Sequence, residues 1–290
     1  MITMVTIIDG LSLGSIYALI ALGYTMVYGI AKMLNFAHGD VIMVGAYTIF
    51  VVLTATTNPI LGFIIAIVVC TILGIVIERF AYKPLRGASP LAVLITAIGV
   101  SNLLQGLAQL IFGSEIHQVN ILNRLGTVEI LGYKVQISTI VTLIISAIIM
   151  IALNVFIKKA KTGRAMLAVS EDKGAAQLMG INVNKIIMIT FAIGSALAAF
   201  ASLFQLIKAP LESTFGALPG IKAFAAAVIG GIGSIPGAML GGILLGLIEN
   251  IALAIPAIAP YTTAIEFGIL ILILLIKPSG ILGKKTREKV

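Results

Sequence analysis

Between short clusters of charge, this sequence runs again and again for about twenty residues with little but Ile, Leu, Val, Ala, Gly, Phe and Met. The runs read as 5–30, 41–57, 60–77, 90–112, 137–157, 186–207, 222–233, 237–256 and 264–276. A helix needs roughly 20 apolar residues to cross a hydrocarbon core about 30 Å thick. Only 10% of the 290 residues are charged, against about 25% in soluble domains. So few charges cannot cover a water-facing surface. The sequence therefore predicts an all-α polytopic membrane protein with about 8–10 transmembrane helices.

The first run, from Val5 to Ile30, reads as a retained span. It has no basic residue before it, carries Asp9, and lacks a short apolar core followed by a small-residue cleavage site. No Gly/Ser linker or low-complexity tail divides the chain, so residues 1–290 are expected to form a single transmembrane domain. Cys70 is the only cysteine and sits in an apolar run, which excludes an internal disulfide and a Cys-rich metal site.

The basic residues set an orientation. If the loop 158–185 is cytoplasmic, alternation places 31–39, 78–89 and the tail 277–290 on the same side. Those four segments hold fifteen of the nineteen Lys and Arg residues. The other side keeps Arg124, Lys134, Lys208 and Lys222. By the positive-inside rule the N-terminus is outside and the C-terminus cytoplasmic. The same rule accounts for the net charge of +8 without nucleic acid as a partner.

Two places are expected to break the regular pattern. Near 31–40, the polar Asn35, His38 and Asp40 interrupt apolar sequence. Either this is a short turn with Asp40 at the start of the next helix, where its charge suits the helix dipole, or the polar groups line a translocation path, since they would be unfavourable in lipid. Near 230–237, Gly233, Pro236, Gly237 and Gly241 combine small residues at four-residue spacing with a proline that lacks a backbone donor. The expectation is a break at 232–236 with two shorter helices either side. It is either a plain turn or a re-entrant segment shielded by protein.

Late apolar runs also carry Glu249, Asn250 and Glu266. Intramembrane ionisable groups are candidates for function, and Glu249 and Asn250 are candidate pathway residues. The other reading is structural, as bonds to neighbouring helices or placement at the outer interface, the latter expected above all for Glu266.

Catalytic signatures are missing. No phosphate loop occurs: the only Gly-Lys, Gly283-Lys284, is followed by Lys285. His38 and His117 lack metal-ligand spacing, and there is no G-x-S-x-G elbow. No catalytic, cofactor-binding or metal-binding residues are assigned, and the chain is not expected to be an enzyme.

The segment from Arg164 to Met179 is rich in helix formers, and Gly180 is placed to end a helix. Ser170 is a possible cap for a shorter helix starting at Glu171. Ala168, Ala175, Leu178 and Met179 form a small apolar face. Such a helix either lies on the membrane surface or inserts into a groove on a soluble partner.

At these residues the sequence resembles a known family. LSLGSIYALIALGYTMVYGIAKMLNFAHGD (11–40), RAMLAVSEDKGAAQLMGINV (164–183) and KPSGILG (277–283) are similar to the permease subunits of branched-chain amino acid ABC importers, most closely the H-type permease. The resemblance runs over essentially the whole chain. It implies that 164–180 is an ATPase-coupling segment within the cytoplasmic loop 158–185. Ala175, Ala176 and Gly180 match the general importer pattern. Gly174 stands where that pattern has an acidic residue, with Glu171 and Asp172 just upstream and Arg164 at the segment's start.

The resemblance further implies a second, homologous permease subunit forming a heterodimer, two cytoplasmic ATPase subunits that use the ATP, and an extracytoplasmic substrate-binding protein. Localisation would be the bacterial plasma membrane, with the lipid bilayer around the chain. Leu, Ile and Val are the implied substrates. Other amino acids, amides or urea, or a stand-alone secondary transporter, are the alternatives.

Overall fold

The computed structural model describes residues 3–119, 126–130 and 132–283. The chain order is α1 (Met4–Ala31), α2 (His38–Thr56), α3 (Pro59–Ile77), α4 (Pro90–Phe112), β1 (Thr127–Ile130), β2 (Tyr133–Gln136), α5 (Ile137–Lys159), α6 (Lys161–Glu171), α7 (Lys173–Leu178), α8 (Val183–Lys208), α9 (Ala217–Gly230), α10 (Ile235–Leu253) and α11 (Thr262–Ile276). Eight helices among the described residues are long and apolar enough to cross a membrane: α1 to α5, α8, α10, and α11 with its preceding turn. Arg124 and the tail residues from Lys284 onward lie outside the described residues.

The helix boundaries follow local chemistry. Asn58, Ser89, Asn182 and Ser234 each accept a backbone N–H at the start of α3, α4, α8 and α10. Pro59, Pro90 and Pro236 occupy the first turn of three of these helices, where a missing N–H is harmless. At its far end α3 widens into a π-helical turn, Glu78–Tyr82, and then a 3-10 turn, Lys83–Leu85. Within the loop 113–136, β1 and β2 form a hairpin, with Thr127 paired to Gln136 and Ile130 to Tyr133, and His117 makes an isolated antiparallel bridge to Leu211.

Helix α1 is the centre of the bundle, and its middle is buried almost continuously from Ser12 to Val27. It packs antiparallel against α10. Gly14 lies on the backbone of Ile243, Gly246 on Gly14, and Gly242 on Ala18, so a methyl group on any of them would overlap main chain. Small residues that let backbones meet supply the packing that apolar burial cannot supply in lipid. Helices α8 and α9 flank α1, and α2 and α3 pack on α8. Helix α4 stands at the periphery with Leu91, Ile95, Leu103, Leu110 and Ile111 exposed.

Two breaks interrupt this order. After α1 the chain leaves helical geometry at Lys32, which is left-handed (φ 60°). Residues 32–37 then turn back along the bundle, and α2 begins with His38 against Gly23. Gly23 lies about 12 Å inward from the end of α1 at 1.5 Å per residue, so α2 starts within the depth of the bundle. The predicted run at 41–57 therefore begins three residues early, because His38, Gly39 and Asp40 form the first turn of the helix. The second break is residues 231–234, between α9 and α10. Helix α9 has 14 residues and reaches about 21 Å, too short to cross alone. The run at 222–233 is thus a partial helix rather than a span.

Candidate translocation site and coupling surface

The segment between α1 and α2 brings polar groups inside. Asn35 is buried, and its Oδ1 accepts the Tyr82 hydroxyl at 2.9 Å. His38 is buried with its ring edge-on to Tyr24, centroids 4.9 Å apart. Asp40 is 2% exposed and accepts Gln105 Nε2 of α4 at 2.8 Å. Beside them the starts of α2 and α9 meet: Gly216 is so close to the Gly39 carbonyl that no side chain fits between. A cavity of about 170 Å³ opens at this junction, lined by Tyr24, Phe36, Asp40, Ser101, Gly220 and Ile221 among others. Two helix N-termini, which favour negative charge, and one buried carboxylate therefore border the same small space.

A second polar group lies deeper in α9, α10 and α11. Lys222 Nζ is 2.7 Å from Glu249 Oε1 and 3.1 Å from Glu266 Oε2. The Tyr17 hydroxyl donates to the other Glu249 oxygen at 2.7 Å. Two sequence expectations are corrected here. Lys222, counted with the outer-side charges, is not at a surface; it is 5% exposed on α9. Glu266 is not at the outer interface; it is 1% exposed and paired. The sequence pattern missed Lys222 because it falls at the edge of an apolar run, where a lysine reads as a flank. Its signal was that the residues after it, AFAAAVIG, stay apolar up to the break. Asn250 is not part of this set of bonds; its Cβ lies against Gly10. Asn35, His38 and Asp40 thus gather at the start of α2, while Glu249 belongs to a separate ionic cluster.

The glycine stripe at the second break is also resolved differently from its spacing. Helix α10 does not extend back to Gly233, which sits in the turn with φ 93°. Gly237 and Gly241 do share a face of α10 and pack on Gly230 and Ala226 of α9. Pro236 is in the first turn of α10, after the break rather than in it.

Between α5 and α8 the expected helix is two. Asp172 is extended, ends α6 and caps α7 by accepting Ala175 N–H at 2.9 Å. Ser170 is not the cap; its hydroxyl bonds back to the Leu167 carbonyl. Gly180 follows α7 with φ 79°, a conformation that favours glycine. Met166, Val169 and Ala176 face inward, while Arg164, Glu171 and Ala175 are exposed. Leu178 and Met179 are 90% and 82% exposed. Two large apolar side chains at the tip of a short helix have no partner within the described chain. Lys173 Nζ, on the same helix, donates to the Ala31 carbonyl at the end of α1.

A family model described as the permease component of branched-chain amino acid transport systems matches residues 6–275. The chain belongs to this family. Several of its relatives are similar over nearly their whole length. The high-affinity branched-chain amino acid transport system permease protein BraD of Pseudomonas aeruginosa is 43% identical over 298 residues, covering 98% of this chain and 97% of that one. LivH of Escherichia coli K12, described in the same words, is 42% identical, covering 97% and 96%. The probable branched-chain amino acid permease LivH of Methanocaldococcus jannaschii is 31% identical, covering 93% and 89%. As a branched-chain amino acid permease-family protein with eight candidate spans, this chain is a multi-pass protein of the plasma membrane. Permease components of this kind are not themselves enzymes.

Proposed function

We propose that this chain forms half of the translocation pathway of a binding-protein-dependent importer for Leu, Ile and Val. The observation that carries this reading is the 42–43% identity, over nearly the full length, to permeases of high-affinity branched-chain amino acid systems. A second, homologous permease completes the pathway as a heterodimer. Two cytoplasmic ATPases supply the work, and an extracytoplasmic receptor delivers the solute. The chain binds no cofactor of its own. Residues 1–290 act as one permease unit, N-terminus outside and C-terminus cytoplasmic. That orientation puts α6 and α7 beside the ATPases.

The coupling helices are built for such a contact. Leu178 and Met179 present an apolar tip suited to a groove, and Asp172 and Gly180 fix the ends of α7. Helix α6 follows α5 after a single residue, Ala160, and α7 leads to α8 across a short turn. A push on the tip is therefore transmitted to two spans. In the pathway, Asn35, His38 and Asp40 supply polar contacts for a zwitterion near the start of α2, and the apolar walls accept its side chain. Glu249 and Asn250 lie toward the other end of α1, with Glu249 held by Lys222.

Uptake of labelled leucine tests the substrate class, in cells lacking permeases of this kind and supplied with this chain and its partner subunits. Excess isoleucine or valine is expected to suppress uptake. Uptake that ignores both, or that another solute suppresses instead, overturns the assignment.

A further inference from the structure

A cavity of about 540 Å³ opens at the foot of α1, between the 3-10 turn after α3, the start of α4, and α7. Three cations line it: Lys32, Arg86 and Lys173. Among the described residues, Glu78 is the one carboxylate within ion-pair distance of any of them, bonded to Arg86. Arg86 also bonds Asn184. Lys173 Nζ donates to the Ala31 carbonyl at 2.9 Å, and Lys32 is exposed. The remaining walls include Leu85, Leu91 and Leu94, and Leu91 is 64% exposed on the peripheral helix α4. Burial, and then repulsion from Arg86 and Lys32, hold the Lys173 ammonium below the usual lysine range. A cavity with surplus positive charge at one end and an apolar wall running to the exposed face of α4 matches an amphiphilic anion.

We propose that this cavity binds an anionic phospholipid, with its phosphate among Lys32, Lys173 and Arg86 and an acyl chain along Leu85, Leu91 and Leu94. Basic pockets between transmembrane helices near the membrane surface recognise such headgroups. The apolar wall selects a lipid over free phosphate, which would leave the leucines without a partner. The inference rests on the membrane-spanning fold and needs neither the substrate nor the ATPase reading. It has a mechanical consequence. Lys173 belongs to α7 and touches the end of α1, so a bound headgroup tethers the coupling helix to the bundle.

The test uses the purified full chain in phosphatidylcholine nanodiscs containing a small fraction of spin-labelled phosphatidylglycerol. The protein-associated lipid fraction gives the preference for phosphatidylglycerol over labelled phosphatidylcholine. Lys32→Gln and Lys173→Gln are each expected to lower that preference about fivefold. Lys32→Arg should retain it, and Lys158→Gln, at an exposed lysine away from the cavity, should leave it unchanged. If Lys173→Gln folds poorly, the exposed Lys32 still reports on the site. Equal association of both lipids, or a preference that neither substitution moves, overturns the proposal. So does displacement of the labelled lipid by millimolar inorganic phosphate, which would make this a site for a free anion. Loss of the preference in the assembled complex would show that a partner subunit fills the cavity, and also overturns it.

Discussion

Lys222 holds Glu249 at 2.7 Å and Glu266 at 3.1 Å inside the helical bundle, tying α9 to both α10 and α11. All three side chains are nearly excluded from solvent, at 6%, 12% and 1% exposure. Removing the lysine alone leaves two buried carboxylates without a counter-charge. Breaking a buried pair in this way costs about 3–5 kcal/mol. Lys222→Met is therefore expected to lower the thermal stability of the purified chain sharply. The triple change Lys222→Met, Glu249→Gln, Glu266→Gln should restore much of it, because no uncompensated charge remains. Equal stability of Lys222→Met and the parent chain would show that the cluster does not hold these helices.

The junction of α2 and α9 depends on an absent side chain. Gly216 has no room for a methyl beside the Gly39 carbonyl, whereas Gly106 of α4 has nothing near it. Gly216→Ala should destabilise by about 1–3 kcal/mol, as overpacking does, and should impair transport by separating two helix starts. Gly106→Ala should be neutral or stabilising by up to about 1 kcal/mol, from helix propensity. Thermal unfolding of the two variants side by side measures the contrast.

The tip of α7 should matter to the complex and not to the chain. Leu178 and Met179 are exposed, so Leu178→Glu with Met179→Glu should leave the unfolding temperature of the isolated chain unchanged. Co-purification of the ATPase should fall by an order of magnitude or more, on the order of what losing two apolar anchors in a groove implies. Ala176→Glu, at a buried position of the same helix, should instead destabilise the chain itself. Retained ATPase association in the double variant would place the contact elsewhere.

Lys173 predicts a pH dependence. Burial and the neighbouring cations lower its folded-state value from the usual 10.5. The unfolded chain then binds the extra proton, so stability rises with pH between the lowered value and 10.5. Below that window the full penalty is present. In neutral detergent the unfolding temperature of the parent chain should gain more on going from neutral to alkaline pH than that of Lys173→Gln. Parallel pH profiles would contradict it.

Much of this architecture is written in the apolar runs, because a lipid-facing helix must be apolar along its whole length. The same uniformity hides how helices pack. The run 222–233 is too short for a full span, but it does not show that α9 begins back at Ala217, and Lys222 reads as a flank until Glu249 and Glu266 are seen beside it. The break at 231–234 was legible because Gly and Pro act locally. A second, shorter helix was legible near Ser170, but its start was placed two residues early: the cap is the Asp172 side chain, which accepts from α7 instead of extending α6. Asp40 was legible as a helix start. Its bond to Gln105 of α4, 65 positions away, was not.

The most direct test of the account is uptake of labelled leucine into proteoliposomes holding this chain, its partner permease and the ATPases, with the receptor outside and ATP sealed within. Accumulation is expected only with ATP, and is expected to vanish with Leu178→Glu and Met179→Glu. Leucine accumulation by this chain alone, driven by an ion gradient and without ATP, would contradict it.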